Sequence, residues 1–499
     1  MKKRFYVNFL IFLFTNYVFS LNEYTNYAQN TGNLNYAVSV ISKALKESPQ
    51  ALILSNNADV TNTTFKLQKK QWLPSIQFDL QADSNQIQGE YLLIRNKGTV
   101  TFPQTVITPS TNIGLNQKLP GNGQFTVDAG YGFSLLTEQN AYIQNPYLQI
   151  GLSQRLSYGA FFLSKDPSFM KLKTNEQFSF IQNKKNAFDV VLGFISAVQN
   201  YDLALLNEKY YEAIQKKALA EYKEQEIRHE IGQKNDIELL KTRTKLKQSV
   251  SNFKQASQNV IQTETILSEY QIEEIKEQIN KFRNELVELL EKEYREEQSQ
   301  TFQEQELINE ISNEKLNLKE NKIRMAPLLY IQTLISPNQN KNIEYSDFYA
   351  SLRTLKNTPY IWTINTTVGL SIGLDYSFQK KQLKKISDEK IMNLNIQLET
   401  LRDEQNKIKD TYNQWIDFFS LYCFDSKVAL EKENEFLAEK HALLNRNIIT
   451  EIQYLEAEVN YYEMQLNYFN SLWNLIQNKL NMLRLSSKWM MFVQQFMEI

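Results

Sequence analysis

From Lys380 to Ile499 the chain contains neither glycine nor proline, and between residues 168 and 326 its only glycines are Gly193 and Gly232. Stretches so long without a helix breaker fold as long helices, because glycine and proline are the residues whose backbone preferences interrupt one. At 1.5 Å per residue, each helical arm can reach on the order of 100 Å. Within the first section, Gly232-Gln233-Lys234-Asn235-Asp236 groups a glycine, amides and a helix-capping aspartate, the composition of a tight turn between two helices. Met325-Ala326-Pro327 closes that section. Residues 33–72 read as one further helix, with Ala37, Ile41, Ala44, Leu45 and Leu52 at helical steps and Leu73-Pro74 as its stop.

Between the helical sections the period changes to two. Ile76, Phe78, Leu80 and Ala82 alternate with Gln77, Asp79, Gln81 and Asp83, a strand with one apolar and one polar face. Leu119-Pro120-Gly121-Asn122-Gly123 predicts a hairpin turn, followed by alternating Phe125, Val127, Ala129, Tyr131 and Phe133. Leu148, Ile150 and Leu152 continue the pattern. The longest run reaches from Trp362 to Phe378, with Ile364, Thr366, Val368, Leu370, Ile372, Leu374 and Tyr376 on one face. That exceeds an average strand of ~5–6 residues and suits a tilted membrane strand of ~9–11.

The order helix, proline, strands, long helix, turn, long helix occurs twice. Pro74 answers Pro327, Gly151-Leu152-Ser153 answers Gly369-Leu370-Ser371, and Gly232 to Leu240 answers Asn447 to Leu455. The first strand region is the longer, so it holds an insertion, and its 100–135 part supplies an extra hairpin that either joins the sheet or caps it. Four strands per chain cannot close a barrel, and an open edge in lipid leaves backbone groups unpaired at several kcal/mol each. Several copies must pool their hairpins; three copies of four strands give twelve, an even number within the known range.

Composition excludes other classes. The 55 basic and 56 acidic residues balance, which argues against a nucleic-acid surface. A mean hydropathy of -0.47 excludes a bundle of membrane helices. One cysteine, Cys423, and two histidines, His229 and His441, leave no residues for a disulfide or a cysteine-built metal site. With no phosphate-cradling loop or nucleophile elbow, the chain is expected to be no enzyme and to need no cofactor, catalytic residue or metal. Met1-Lys2-Lys3-Arg4, an apolar stretch from Phe5 to Phe19 and Ser20 have the order of a secretory signal peptide over 1–20. The charged 272–325 stretch is expected as a plain solvated helix, with an equatorial girdle or a surface for a partner as the other readings.

This layout resembles the TolC family of outer-membrane efflux and secretion channels, from about Asn33 to Leu485. The resemblance is carried by Ala37, Ala44-Leu45 and Pro49, by Leu73-Pro74-Ser75, by Gly151-Leu152-Ser153-Gln154-Arg155-Leu156, and by the Gly232 to Leu240 turn with its repeat. It implies an α+β membrane protein whose two helix–strand–strand–helix repeats build a trimeric outer-membrane β-barrel, continued by a long periplasmic α-helical barrel. Residues 21–73 would then be an N-terminal periplasmic helix, 74–158 the first hairpin region, and 159–326 the first coiled helices with a tip turn at 232–236. Residues 327–378 would be the second hairpin, and 379–499 the second coiled helices with a tip turn near 445–451. The resemblance also implies outer-membrane lipid around the barrel and a periplasmic adaptor (membrane fusion) protein and inner-membrane transporter as partners. Those partners would meet the tips at Gly232, Asp236, Asn447 and Glu451. By the family's count from the turn, Gln453 and Glu456, with Glu238 and Lys241 in the first repeat, would narrow the pore. A ring of Glu456 carboxylates would favour cations. The alternative is a periplasmic coiled-coil scaffold or adaptor without a pore.

Overall fold

The computed structural model describes residues 36–93, 98–136, 141–157, 161–232, 236–291, 300–337, 349–350, 352–353, 362–372, 376–486 and 488–497. The signal-peptide reading of 1–20 lies outside them. The expected 33–72 helix is two helices, α1 (Tyr36–Glu47) and α2 (Pro49–Lys70). Ser48 separates them in an extended conformation, and its Oγ accepts from Ala51 N at 3.2 Å. Proline at the first helical position needs no donor and pushes its predecessor out of helical geometry, so Pro49 starts a helix here rather than sitting within one.

Strands β1 (Ser75–Leu93), β2 (Gly98–Leu119), β3 (Gly123–Leu136) and β4 (Ala141–Arg155) follow. The first helical section is α3 (Pro167–Glu230), α4 (Asp236–Ser268), α5 (Ile275–Glu291) and α6 (Phe302–Arg324). Strands β5 (Leu328–Pro337) and β6 (Trp362–Ser371) precede α7 (Tyr376–Asn445), α8 (Glu451–Arg484) and α9 (Lys488–Met497). Among the described residues there are six strands, and they form one antiparallel sheet in sequence order, β1 to β6. The expectation of four strands is therefore corrected to six, and the inserted hairpin lies inside the sheet.

A second correction concerns β6, which ends at Ser371 rather than continuing to Phe378. Its last partner is Leu328, the residue after Pro327. Beyond that point the neighbouring strand offers no ladder, and the chain enters α7 at Tyr376. Alternation alone could not place that boundary.

The main core lies midway along the long helices. Phe188, Phe194 and Ile195 of α3, Phe282 of α5, Trp473 and Ile476 of α8, and Trp489, Phe492 and Phe496 of α9 are buried together with Ile41 of α1. α5 belongs to this core and is not a plain solvated helix, because Ile275, Ile279, Phe282, Leu286 and Leu289 recur at helical spacing on its buried face. A charged node joins the repeats there. The Asp202 carboxylate accepts from the Arg283 guanidinium and from Trp473 Nε1, the latter at 2.8 Å. Arg283 also donates to Asn280 at 2.6 Å and lies 3.6 Å from the Phe469 ring centroid. α3 contains a window apolar enough to cross a membrane, and 56% of it is buried inside the protein.

Candidate functional site

The sheet is sorted by face along its whole width. Phe78 pairs with Ile113, Ile113 with Ala129, Ala129 with Leu148, Leu148 with Ile335, and Ile335 with Ile364. One row across, Gln77, Gly114, Asp128, Gln149, Leu334 and Asn365 stand opposite one another in the same way, and below them Ser75, Asn116, Thr126, Gly151, Gln332 and Thr367. One face is thus apolar over six strands while the other is mostly amide, hydroxyl and glycine. The glycines of the polar face are covered by cross-strand neighbours: the Tyr330 ring lies where a side chain on Gly369 would go, and the Tyr147 ring does so at Gly130.

The apolar face is open. Ile76, Phe78 and Leu80 on β1 are 74%, 66% and 76% exposed, and Ile364 on β6 is 67% exposed. A folded chain leaves such a face bare only where something else covers it.

Below the sheet, the inserted hairpin is fastened to the helices. Its turn uses Gly121 (φ 68°) and Asn122 (φ 59°), as the Pro-Gly-Asn-Gly sequence predicts. Asp166, which caps α3 by accepting from Phe169 N at 2.9 Å, also accepts from Gly121 N. Gln154 Nε2 donates to the Pro120 carbonyl at 2.9 Å, and Lys118 lies over the Trp72 ring.

At the far end of the helices are two turns. Gly232 (φ 75°) follows α3 and donates to the His229 carbonyl at 2.9 Å. Asp236, the first residue of α4, pairs with His229 Nε2 at 2.7 Å. Glu238 and Lys241 are exposed on the first turns of α4. In the second repeat, Asn447 (φ 56°) occupies the same left-handed region, and Ile448 N donates to the Leu443 carbonyl at 3.0 Å, the closing bond of a glycine-type helix end. Glu451 is exposed on the first turn of α8.

Gln453 is engaged at its own helix end. Its Oε1 accepts from Thr450 N at 3.0 Å while Thr450 Oγ1 accepts from Gln453 N at 3.3 Å, a capping box. The Thr450-x-x-Gln453 spacing signals that role in the sequence. Glu456 is bound across the helices: its Oε1 accepts from Lys217 Nζ on α3 at 2.9 Å. The Lys217 hydrogen bond and charge, with Lys245 adding to them, hold the Glu456 carboxyl below its ordinary value. Lys245 in turn pairs with Glu221. Sequence reasoning missed Lys217, Glu221 and Lys245, since no local spacing links Lys217 to a partner on α8. The structure joins Glu456 to α3 and leaves Gln453, Glu238 and Lys241 outside that cluster. Exposed apolar residues collect at both turns: Ile227, Ile231, Ile237 and Leu240 at the first, Ile448 at the second.

Among the described residues, no group of three or more His, Cys, Asp or Glu side chains is placed to hold a metal. No family sequence model and no curated protein sequence matches the chain. Solved structures do match over nearly its full length. The CmeC outer-membrane channel of Campylobacter jejuni is 12% identical, with 93% of each chain covered and a TM-score of 0.52. The outer-membrane protein VceC of Vibrio cholerae is 7% identical, with 90% of this chain and 95% of that one covered and a TM-score of 0.54. The outer-membrane channel OprN is 8% identical, with 91% and 90% covered and a TM-score of 0.55. The fold is therefore TolC-like: long helices carrying an antiparallel sheet.

Proposed function

We propose that the chain is one subunit of a passive exit duct of the outer membrane, built as a homotrimer and serving the export of small molecules or polypeptide. The observation that carries this reading is the sheet: one face apolar across six strands and most openly exposed on β1, β2 and β6, above helices on the order of 100 Å long. Lipid would cover the apolar face, and the amides and hydroxyls of the other would line water. The helices carry lysine and glutamate on their open faces and would stand in the periplasm. A duct of this kind does no chemistry of its own; an inner-membrane transporter would supply the energy. A periplasmic adaptor would dock at the tips, where Gly232, Asp236, Asn447 and Glu451 shape the turns and the exposed isoleucines offer apolar contact.

Glu456 would stand at the narrow end, with Lys217 offsetting part of its charge. In planar bilayers, Glu456→Ala is expected to lower cation selectivity and divalent block, and Lys217→Ala to raise them. Selectivity unchanged in both variants would remove Glu456 from the constriction. Because the Glu456 carboxyl is held below its unfolded value, its tie to Lys217 is complete above the ordinary carboxylate range and is lost as pH falls through the lowered value. Cation selectivity should accordingly hold at neutral pH and fall only on acidification below the ordinary carboxylate range. The duct itself is tested by fractionation: detergent-requiring oligomers in the outer membrane support it, and a water-soluble monomer supports a scaffold without a pore.

A further inference from the structure

We infer that copies of this chain join edge to edge, β6 of one against β1 of the next, and that three copies so joined close an eighteen-stranded barrel. The inference rests on the duct reading and specifies how its wall is built. A trimer with four strands per copy would have twelve, the number expected from the sequence. Here the inserted hairpin lies within the ladder, with β2 paired to β1 and β3 paired to β4 over long registers. Its turn is fastened to the base by Asp166 and Gln154. It is a piece of wall, not a flap outside one.

Strand direction permits the joint. β1 leaves the helices after α2, and β6 returns to them before α7, so β6 beside a second copy's β1 is antiparallel like every pairing within the chain. An insertion of two strands preserves that alternation, whereas one or three would reverse it.

The chemistry of the two edges favours the joint as well. Soluble sheets guard their edges with lysine and proline, and keep proline out of central strands. This sheet does the opposite. β1 and β6 contain no lysine, arginine or proline, while Pro103, Pro109 and Lys118 lie in β2 and Pro146 in β4, all inner strands. Each edge thus keeps its full set of backbone donors. The faces also match, because the apolar row that ends at Phe78 on one edge ends at Ile364 on the other.

Dimensions follow from strand spacing. At about 4.8 Å between strands and a tilt of about 40°, eighteen strands give a backbone radius of about 18 Å, against about 12 Å for twelve. Side chains do not meet across the wider lumen, which stays filled with water. The ten residues of β6 span about 26 Å at that tilt, close to the ~25 Å apolar band of an outer-membrane barrel. β1, with 19 residues, supplies the ladder for that joint and rises beyond it.

Paired cysteines test the joint in the full-length protein extracted in detergent. One is placed on β1 at Ser75, Gln77 or Asp79, the other on β6 at Thr363, Asn365 or Thr367, all on the polar face. The native Cys423 is buried, which keeps the background low. Oxidation should give covalent dimers and trimers, ending at three copies, in at least one pairing; single-cysteine variants should give none. Electron cryomicroscopy of the unaltered chain should count eighteen strands around the ring, which keeps the test independent of whether the variants fold. A trimer with twelve strands, or a ladder ending at two copies, overturns the inference and leaves the duct reading intact. A soluble monomer overturns both.

Discussion

The first repeat carries four strands between its flanking helices and the second carries two, yet both enter and leave the sheet at one level. Arg155 at the end of the first repeat's sheet and Ser371 at the end of the second's both pair with Leu328. Added wall therefore leaves the helical frame unchanged, provided that strands come in pairs and the new turn finds a partner at the base. Asp166 provides that partner. The two tips differ in the same spirit, with Gly232 and Asn447 meeting one backbone requirement by different means.

Breaking the node that binds the two repeats should have the largest effect. Asp202→Ala strands the buried Arg283 charge and frees Trp473 Nε1, and a loss of about 3–5 kcal/mol is expected from chemical denaturation in detergent. Asp166→Ala strikes what distinguishes the first repeat. It removes the α3 cap and leaves Gly121 N without its acceptor, together worth about 2–3 kcal/mol. Limited proteolysis should then cut the first repeat near residues 120–122 before the second. The tips should respond least. Gly232→Ala places a Cβ in the left-handed region at a cost of about 1 kcal/mol, while Asn447→Gly changes thermal stability by only a few tenths. Equal losses from these two substitutions would contradict a shared left-handed requirement at the tips.

Much of this was legible in the residues themselves. Pro74 and Pro327 announced the strands, and Gly232 and Asn447 the turns, because these types constrain the backbone wherever they stand. β2 was harder to read. Pro103 and Pro109 interrupt its pattern, and its apolar face includes Thr111 beside Ile113 and Leu115, so that only its neighbours reveal its place. The end of β6 depended on where β5 begins, a fact about another segment. At the tips, counting residues from a turn nominated Gln453, whose amide the capping box occupies. The same count reached Glu456 without revealing Lys217, since ion pairs between distant helices leave no periodic trace.

The unequal burial along the helices has a mechanical consequence. At mid-height, phenylalanine and tryptophan interlock three or more helices, and each such ring removes some 150–250 Å² from water. Toward the tips the buried positions on α3, α4 and α8 are mostly small, namely Ala213, Ala218, Ser249, Ala256 and Ala457, with Leu455. Small side chains make shallow ridges and forfeit little when helices slide past one another. The packing is therefore stiffer at the waist of the molecule than at its foot, and local opening should begin at the foot.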